Sequence, residues 1–457
     1  MKLFSTQTYI NRRSKLKELV KSGQILLLGN NESPMNYTDN TYRFKQDSSF
    51  LYFFGINLPG LSAIIDLEKN TETIFGNEYA IEDIIWIGNQ ESLASLAKKV
   101  GVNTVEKPSK LASNITKSIK FLPPYRFDNK QLLSELLNIK VSELKSDNEL
   151  TNAVISIRSF KSEEEILELN DAINITGAMH LAAFKATKPG KMEYEVVAKI
   201  METLHSLNAE LSYPVIFSIN GQTLHNHYHG NKMLAGQIAI NDSGAENSFG
   251  YAGDITRTIP VSGVFNDQQK EIYETVLKME MDSIALLKSG ILYRDVHINA
   301  NKILLENLQN IGLVKGNIED MLSEGVGGLF MPHGLGHMIG MDVHDMEDLG
   351  ENLVGYSENM QRSSQLGLKS LRLAKALEPG FVITVEPGCY FIPELIDKYK
   401  SEGKFKDFVN YENLEKYKNF GGIRIEDDVL INENGSEVLG NPIPKTIQEI
   451  EDFMKGQ

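Results

Sequence analysis

Along residues 1–157, short apolar runs alternate with stretches whose apolar residues repeat at helical spacing. Gln24–Leu28, Phe50–Phe54, Ser62–Leu67 and Asp83–Gly88 read as strands, each close to Gly, Asn or Pro. Tyr9–Lys21, Glu91–Val100 and Gln131–Leu137 read as helices. Alternation of this kind predicts an α/β layer with a mostly parallel or mixed sheet. The stretch Tyr42–Phe50 is polar ahead of an aromatic run and reads as a solvated loop.

The pattern changes near Ser159. Ser162 is followed by Glu163, Glu164 and Glu165, a capping box with a further acid that suits the positive end of a helix. Ile166, Leu169, Ala172 and Ile173 continue at helical spacing, and the helix should stop by Pro189-Gly190. Residues 158–457 are expected to form a second domain after a first at 1–157, in keeping with the length of 457 residues.

That second domain echoes itself. Lys188-Pro-Gly190 leads to Glu195-Val196 at the spacing by which Lys288-Ser-Gly290 leads to Asp295-Val296. Gly236-Gln-Ile-Ala-Ile-Asn-Asp242-Ser-Gly244 matches Gly380-Phe-Val-Ile-Thr-Val-Glu386-Pro-Gly388. Both segments read as a Gly, an apolar strand, an acid at its end and a Gly turn. Together the echoes predict an internal duplication, each half presenting a carboxylate where a site could form between them.

Composition removes several function classes. Hydrophobic residues at 41% and charged residues at 23% describe an ordinary globular protein. A net charge of −15 argues against nucleic acid or an anionic membrane as the main partner, because both need a basic face. A single cysteine, Cys389, excludes an intrachain disulfide and fits a reducing compartment. The N-terminal stretch has charges throughout and no apolar core of signal-peptide length, so a cytoplasmic protein is expected.

Candidate chemistry lies in the histidines and acids. Six of nine histidines fall in two clusters, His225, His227 and His229, then His333, His337 and His344. Gly334, Gly336 and Gly340 make a regular helix unfavourable around the second cluster, so a bent strand or loop with close backbone approach is expected. Asp242 ends one apolar strand, Asp254 opens the next, and Glu386 and Glu426 stand at similar ends. Four carboxylates in one cleft cannot all ionise without compensating cations. Two divalent ions would neutralise them, at a separation of about 3.5–4 Å, and a water shared by both would readily become a nucleophile. Oxygen ligands with one imidazole suit Mn best, with Co, Zn or Fe also compatible. Zinc-finger cysteines, a His-Glu-x-x-His helix and a phosphate-binding Gly loop are all absent from the sequence.

The stretch His333-Gly-Leu-Gly-His-Met-Ile-Gly-Met-Asp-Val-His-Asp345, with Asp242, Asp254, His337, Glu386 and Glu426 in that order, resembles the metal-dependent pita-bread peptidases of the Xaa-Pro aminopeptidase and prolidase branch. The resemblance spans the second domain, an α+β fold with pseudo-twofold symmetry, and extends through Tyr42–Gly55 to the creatinase-like N-terminal α/β domain. It implies that Asp254 and Glu426 bridge two ions, Asp242 binds one, and His337 with Glu386 completes the other. Glu386 would also be the general base. His333 and His344 match histidines near the scissile bond, and His225, Tyr390 and Arg424 match substrate-side residues. The expected activity is removal of an N-terminal residue preceding proline from proline-containing peptides. A prolidase restricted to dipeptides is the nearest alternative, since the longer segments at 346–372 and 393–420 look like eukaryotic prolidase. Noncatalytic peptide binding, creatinase-like hydrolysis and methionine aminopeptidase fit the retained ligands and added domain less well. Relatives in this branch imply a homodimer or homotetramer.

Overall fold

A computed structural model describes residues 2–116 and 118–456. The chain forms two compact units, Met1–Arg158 with Met346–Leu353, and Ser159–Asp345 with Val354–Gln457. The short segment Met346–Leu353 thus groups with the first unit, although the sequence pattern put it within a continuous second domain.

The first unit is built on a five-stranded mixed sheet. Gln24–Leu28 pairs antiparallel with Ser62–Asp66 and parallel with Ile119–Phe121, and Thr71–Phe75 extends the sheet to Thr104–Glu106. Leu26, Ile64, Phe75 and Phe121 pack on Leu133 of the helix Phe127–Leu137. Arg13 is buried too, and its guanidinium is satisfied by Glu72 and the carbonyls of Phe53 and Val100.

Two expected strands are helices. Phe50–Phe54 lies in the helix Ser48–Phe54, where Asp47 caps the Phe50 N–H and Gly55 ends the helix in the left-handed region at φ 67°. A continuous apolar run has no period to separate strand from helix, so the flanking caps decide. Asp83–Ile87 of the second run lies in the helix Ile81–Ile87, which Gly88 ends and whose Asp83 carboxylate accepts from the Ala80 N–H. Its β-branched residues favoured a strand reading, but β propensity reflects packing on a half-buried sheet, and this helix buries none of its side chains. Within the expected solvated loop, Gln46 is buried and stitches the Asn30 N–H to the Leu58 carbonyl.

In the second unit the duplication becomes visible as structure. Helices Glu163–Ala186 and Glu193–Ser206 pack together in one half, and Asp267–Leu286 and Tyr293–Asn310 in the other. Each second helix follows a turn with a left-handed glycine, Gly190 at φ 91° and Gly290 at φ 84°. The N–H of Gly190 donates to Met233, and that of Gly290 to Leu377, both at 2.8 Å. Ile238–Ser243 lies between Ile216–Ser218 and Ile255–Pro260, while Val382–Val385 pairs with Asp427–Asn432. A bridge between Thr256 and Glu426 joins the two halves. Beside it, buried Arg257 donates to the Glu426 carbonyl at 2.8 Å and to Asp427 Oδ1 at 2.7 Å.

This crosslink generates a stability prediction. Arg257→Met leaves the buried Asp427 carboxylate with Lys445, at 2.6 Å, as its remaining cation and removes the bond to the Glu426 carbonyl, so it should lower unfolding free energy by about 1–3 kcal/mol. Chemical denaturation followed by circular dichroism measures it, and a loss below about 1 kcal/mol would reject a structural role for the pair.

Candidate metal centre

The ends of the central strands aim carboxylates into one cleft. Asp242 lies near the end of Ile238–Ser243, opposite Thr256 on one neighbour and Ile216 on the other. Asp254 and Glu426 immediately precede the strands Ile255–Pro260 and Asp427–Asn432, and Glu386 immediately follows Val382–Val385. Asp242 is paired with Thr256 and Thr384 with Asp428, so period-two alternation continued one residue past the strands puts Asp254 on the face of Asp242 and Glu386 on that of Glu426.

The second histidine cluster forms irregular backbone laid against Val382–Val385. His337 donates its N–H to the Thr384 hydroxyl at 3.1 Å and accepts from the Thr384 N–H at 2.9 Å. Gly336 passes so near that an added Cβ would lie 2.0 Å from the Thr384 carbonyl oxygen. Glycine is therefore required by close approach, as the sequence spacing suggested.

A cleft of about 380 Å³ is lined by Asp242, Asp254, His337, Glu386 and Glu426, together with His225, His333, His344 and Arg424. Donor atoms of Asp254, His337 and Glu426 lie within 4.8 Å of one another. His337 Nε2 is 3.5 Å from Asp254 and 3.7 Å from Glu386. Its Nδ1 lies 3.0 Å from the Met338 carbonyl, which places the proton there and leaves the Nε2 lone pair for a ligand.

Tyr390 is the one expected site residue behind the cleft wall. Arg424 Nη1 donates to its hydroxyl at 2.7 Å, and that hydroxyl lies 2.9 Å from His333 Nε2. His333 Nδ1 meets the Gly334 carbonyl at 2.7 Å. The consistent proton order is Arg424 to Tyr390, Tyr390 to His333 Nε2, and His333 Nδ1 to Gly334. Burial, with the Arg424 charge adding to it, pushes His333 down to about 3, so the ring is neutral. His344 stacks edgewise on His337 with centroids 4.3 Å apart. His227 also lines the cleft, whereas His229 turns to the Phe217 carbonyl.

Several site residues carried no signal in the sequence. Tyr213 approaches Asp242 at 2.6 Å and Asp254 at 2.5 Å. Thr256 donates to Glu426 at 2.6 Å, and Asp428 accepts from the Asp254 N–H at 2.9 Å. Ser370 and Arg372 reach the cleft from the segment expected to be an insertion. Each contact joins residues far apart in the chain, and no local period marks them.

The acids fit divalent ions on their own evidence. Burial drives Glu386 up to about 8; Arg424 opposes the shift and Asp254 and Asp242 reinforce it. Burial and then Asp254 and Glu386 push Glu426 well above the usual carboxylate range. Asp254 is raised by burial as well. Arg424 is the built-in counter-charge: burial alone would lower it, but Tyr390, Asp242 and Glu426 hold it well above its ordinary value. Tyr213 has a single hydroxyl proton and two carboxylate neighbours, so one contact lacks a donor unless a carboxyl is protonated or a cation intervenes. An oxygen-rich set with one imidazole suits a hard or borderline divalent ion.

Comparison with known proteins agrees with this architecture. Residues 168–433 match the metallopeptidase family M24 model, and residues 9–122 match the aminopeptidase P N-terminal domain. The chain belongs to metallopeptidase family M24. It is 33% identical to the Xaa-Pro dipeptidase of Rattus norvegicus over 98% of this chain and 93% of that protein. It is 34% identical to a probable Xaa-Pro aminopeptidase of Fusarium vanettenii over 90% and 88%. A variant of Escherichia coli aminopeptidase P in complex with substrate superposes with a TM-score of 0.82 at 27% identity, covering 100% of this chain and 99% of that one. The two-domain pita-bread fold expected from the sequence is thus the fold observed.

The raised acids generate a pH prediction. In metal-free protein the folded chain holds a proton on Glu386 that the unfolded chain releases, so stability should fall from about pH 5 through about 8. Divalent ions should remove much of that slope by replacing the proton. Thermal melts of chelated and Mn²⁺-loaded protein across this range measure both, and identical flat profiles would reject the electrostatic account.

Proposed function

We propose that this chain hydrolyses the peptide bond between an N-terminal residue and proline, with two divalent ions held by Asp242, Asp254, His337, Glu386 and Glu426. The convergence of Asp254, His337 and Glu426 donor atoms, flanked by the other two acids in an open cleft, carries the reading. The ions would compensate the carboxylates, acidify water and polarise the scissile carbonyl. Mn is favoured by the donor set. Glu386 accepts the proton of the attacking water, with His333 beside it (Nδ1 3.8 Å from Glu386 Oε2) and His344 stacked on His337 next to the scissile bond. His225, Tyr390 and Arg424 order the substrate side. Chelation should abolish turnover and Mn²⁺ should restore it; full activity in verified metal-free protein would defeat the mechanism. Asp254→Ala should lower metal content as well as kcat, since Asp254 stands in the convergent group.

Substrate length divides the relatives, and one observation favours the dipeptidase reading as a second possibility. A dipeptidase must pair the proline carboxylate with a cation, and Arg372 lines the cleft from the inserted segment. Acidity at the metal end favours a free substrate amine under either reading. The aminopeptidase reading expects cleavage of Xaa-Pro bonds in tripeptides and longer peptides, some dipeptide cleavage, and loss of turnover on N-acetylation. Cleavage of dipeptides alone, abolished by C-terminal amidation and by Arg372→Gln, would replace it with the dipeptidase reading.

A homodimer in the cytoplasm completes the proposal. Ile81, Ile85 and Trp86 are 65%, 73% and 86% exposed on one short helix, an apolar surface suited to burial against a second copy. The single cysteine is buried, and no described helix is long and apolar enough to cross a membrane. Light scattering should give the mass of two chains, falling towards one in Ile85→Glu/Trp86→Glu. A monomeric wild-type protein at assay concentration would reject the dimer.

A further inference from the structure

Glu193 is fully buried at the first position of the helix Glu193–Ser206, and no step assigned above uses it. Its carboxylate ties together both ends of one loop. Oε1 accepts from the Ser218 hydroxyl at 3.1 Å and the Ile219 N–H at 2.8 Å. Oε2 accepts from the Asn231 N–H at 3.2 Å and its side-chain amide at 2.9 Å. The backbone adds to the closure, because the Glu193 N–H donates to the Asn231 carbonyl and the Tyr194 N–H to His229. Between these anchors, residues 219–230 have irregular backbone and supply Leu224, His225 and His227 to the cleft lining. Gly221 packs on Gly422, with only 2.7 Å between an added Cβ and the Gly422 carbonyl oxygen. That contact sets the loop against the strand leading to Arg424.

The duplicated half shows the same device with different chemistry. Tyr293 occupies the matching position after Gly290, at the first position of its helix. Its hydroxyl lies 2.6 Å from the Thr384 carbonyl and 3.2 Å from that of Leu335, in the segment carrying His333 and His337. In both halves, then, the residue opening the second helix fastens the histidine-bearing segment of its own half. Glu193 does so as an acceptor of four donors, and Tyr293 as a donor to carbonyls.

We propose that Glu193 is a positioning residue that holds the loop 219–230, and with it His225, in the geometry that receives substrate. The proposal rests on the peptidase reading for its substrate, while the anchoring itself stands on the hydrogen bonds. A buried carboxylate accepting charge-assisted bonds beside a helix N-terminus is a strong anchor. Glutamine has nearly the same shape but turns an NH2 group towards donors on one side, so it should release one end of the loop.

The test compares wild type, Glu193→Gln and the milder Asn231→Ala, all loaded with Mn²⁺. Metal content, kcat and KM for an Xaa-Pro peptide, and amide hydrogen exchange across 219–230 are measured together. Misplacement of a substrate-side loop should raise KM about tenfold in Glu193→Gln with kcat moving less and metal content unchanged. Exchange in the loop should quicken, and Asn231→Ala should follow in the same direction by a smaller factor. Unchanged KM in a folded variant, or loss of metal in step with the kinetic change, would overturn the proposal. Should Glu193→Gln fail to fold, Asn231→Ala decides by the same criteria. If wild type cleaves no Xaa-Pro peptide, the peptidase reading fails, and unchanged exchange in the variants would independently reject the anchor.

Discussion

Repulsion among Asp242, Asp254, Glu386 and Glu426 is the constraint on which the second unit turns. Burial in a common cleft pushes Asp254, Glu386 and Glu426 towards protonation, and the charges of Asp254 and Asp242 add to the shifts of Glu386 and Glu426. The surrounding residues answer that repulsion. Arg424 donates to Asp242 at 2.5 Å, Thr256 donates to Glu426, and Tyr213 reaches across to two acids. Arg424, with Arg372 further along the lining, cannot balance four carboxylates, so protons or added cations must supply the rest. A site left half-compensated would be costly to fold, because an unpaired buried charge is among the most destabilising features a core can hold. The acids thus link ion binding to the stability of the strands that carry them.

Duplication is what lets a modest fold assemble such a site. Each half ends one strand in an acid and begins another with an acid, so two copies supply four. Thr256 and Glu426 meet across the halves, and Arg257 fixes that meeting through the Glu426 carbonyl and Asp427. The halves have diverged where substrate and ions make different demands. His225 stands on the loop closed by Glu193, whereas the segment fastened through Tyr293 brings His333 and His337. Equivalent backbone positions are retained while the side chains take opposite hydrogen-bonding roles.

Much of this was legible in the chain. Acids at the ends of apolar strands beside glycines, and a histidine cluster too rich in glycine to be helical, are local patterns that survive without coordinates. They brought Asp242, Asp254, His337, Glu386 and Glu426 to attention, and the fold places all five around one cleft. Tyr213, Thr256 and Arg372 were not legible, because each acquires meaning only from distant neighbours. Secondary structure failed where periodicity is silent. The aromatic run Phe50–Phe54 is buried on nearly every side, and only Asp47 and Gly55 mark it as a helix. Ile84-Ile85-Trp86-Ile87 invited a strand by composition, yet the segment has no sheet neighbour to reward that choice.

Charge along the cleft argues that substrate length is decided apart from the fold. At one end the clustered acids favour a protonated amine. Elsewhere on the lining, Arg372 contributes a positive charge whose influence reaches both His225 and Glu386. A free proline carboxylate would be drawn to that guanidinium, whereas a continuing peptide brings no charge there and needs only an exit. The same architecture is shared with a relative named a dipeptidase and with a structure of aminopeptidase P. Architecture is therefore common to both activities, and under the proposed reading the choice between dipeptide and longer chain would fall to side chains of the cleft lining such as Arg372. Arg372 lines the cleft from outside the strands that hold the acids, so a change of side chain there would alter the lining and leave those strands in place.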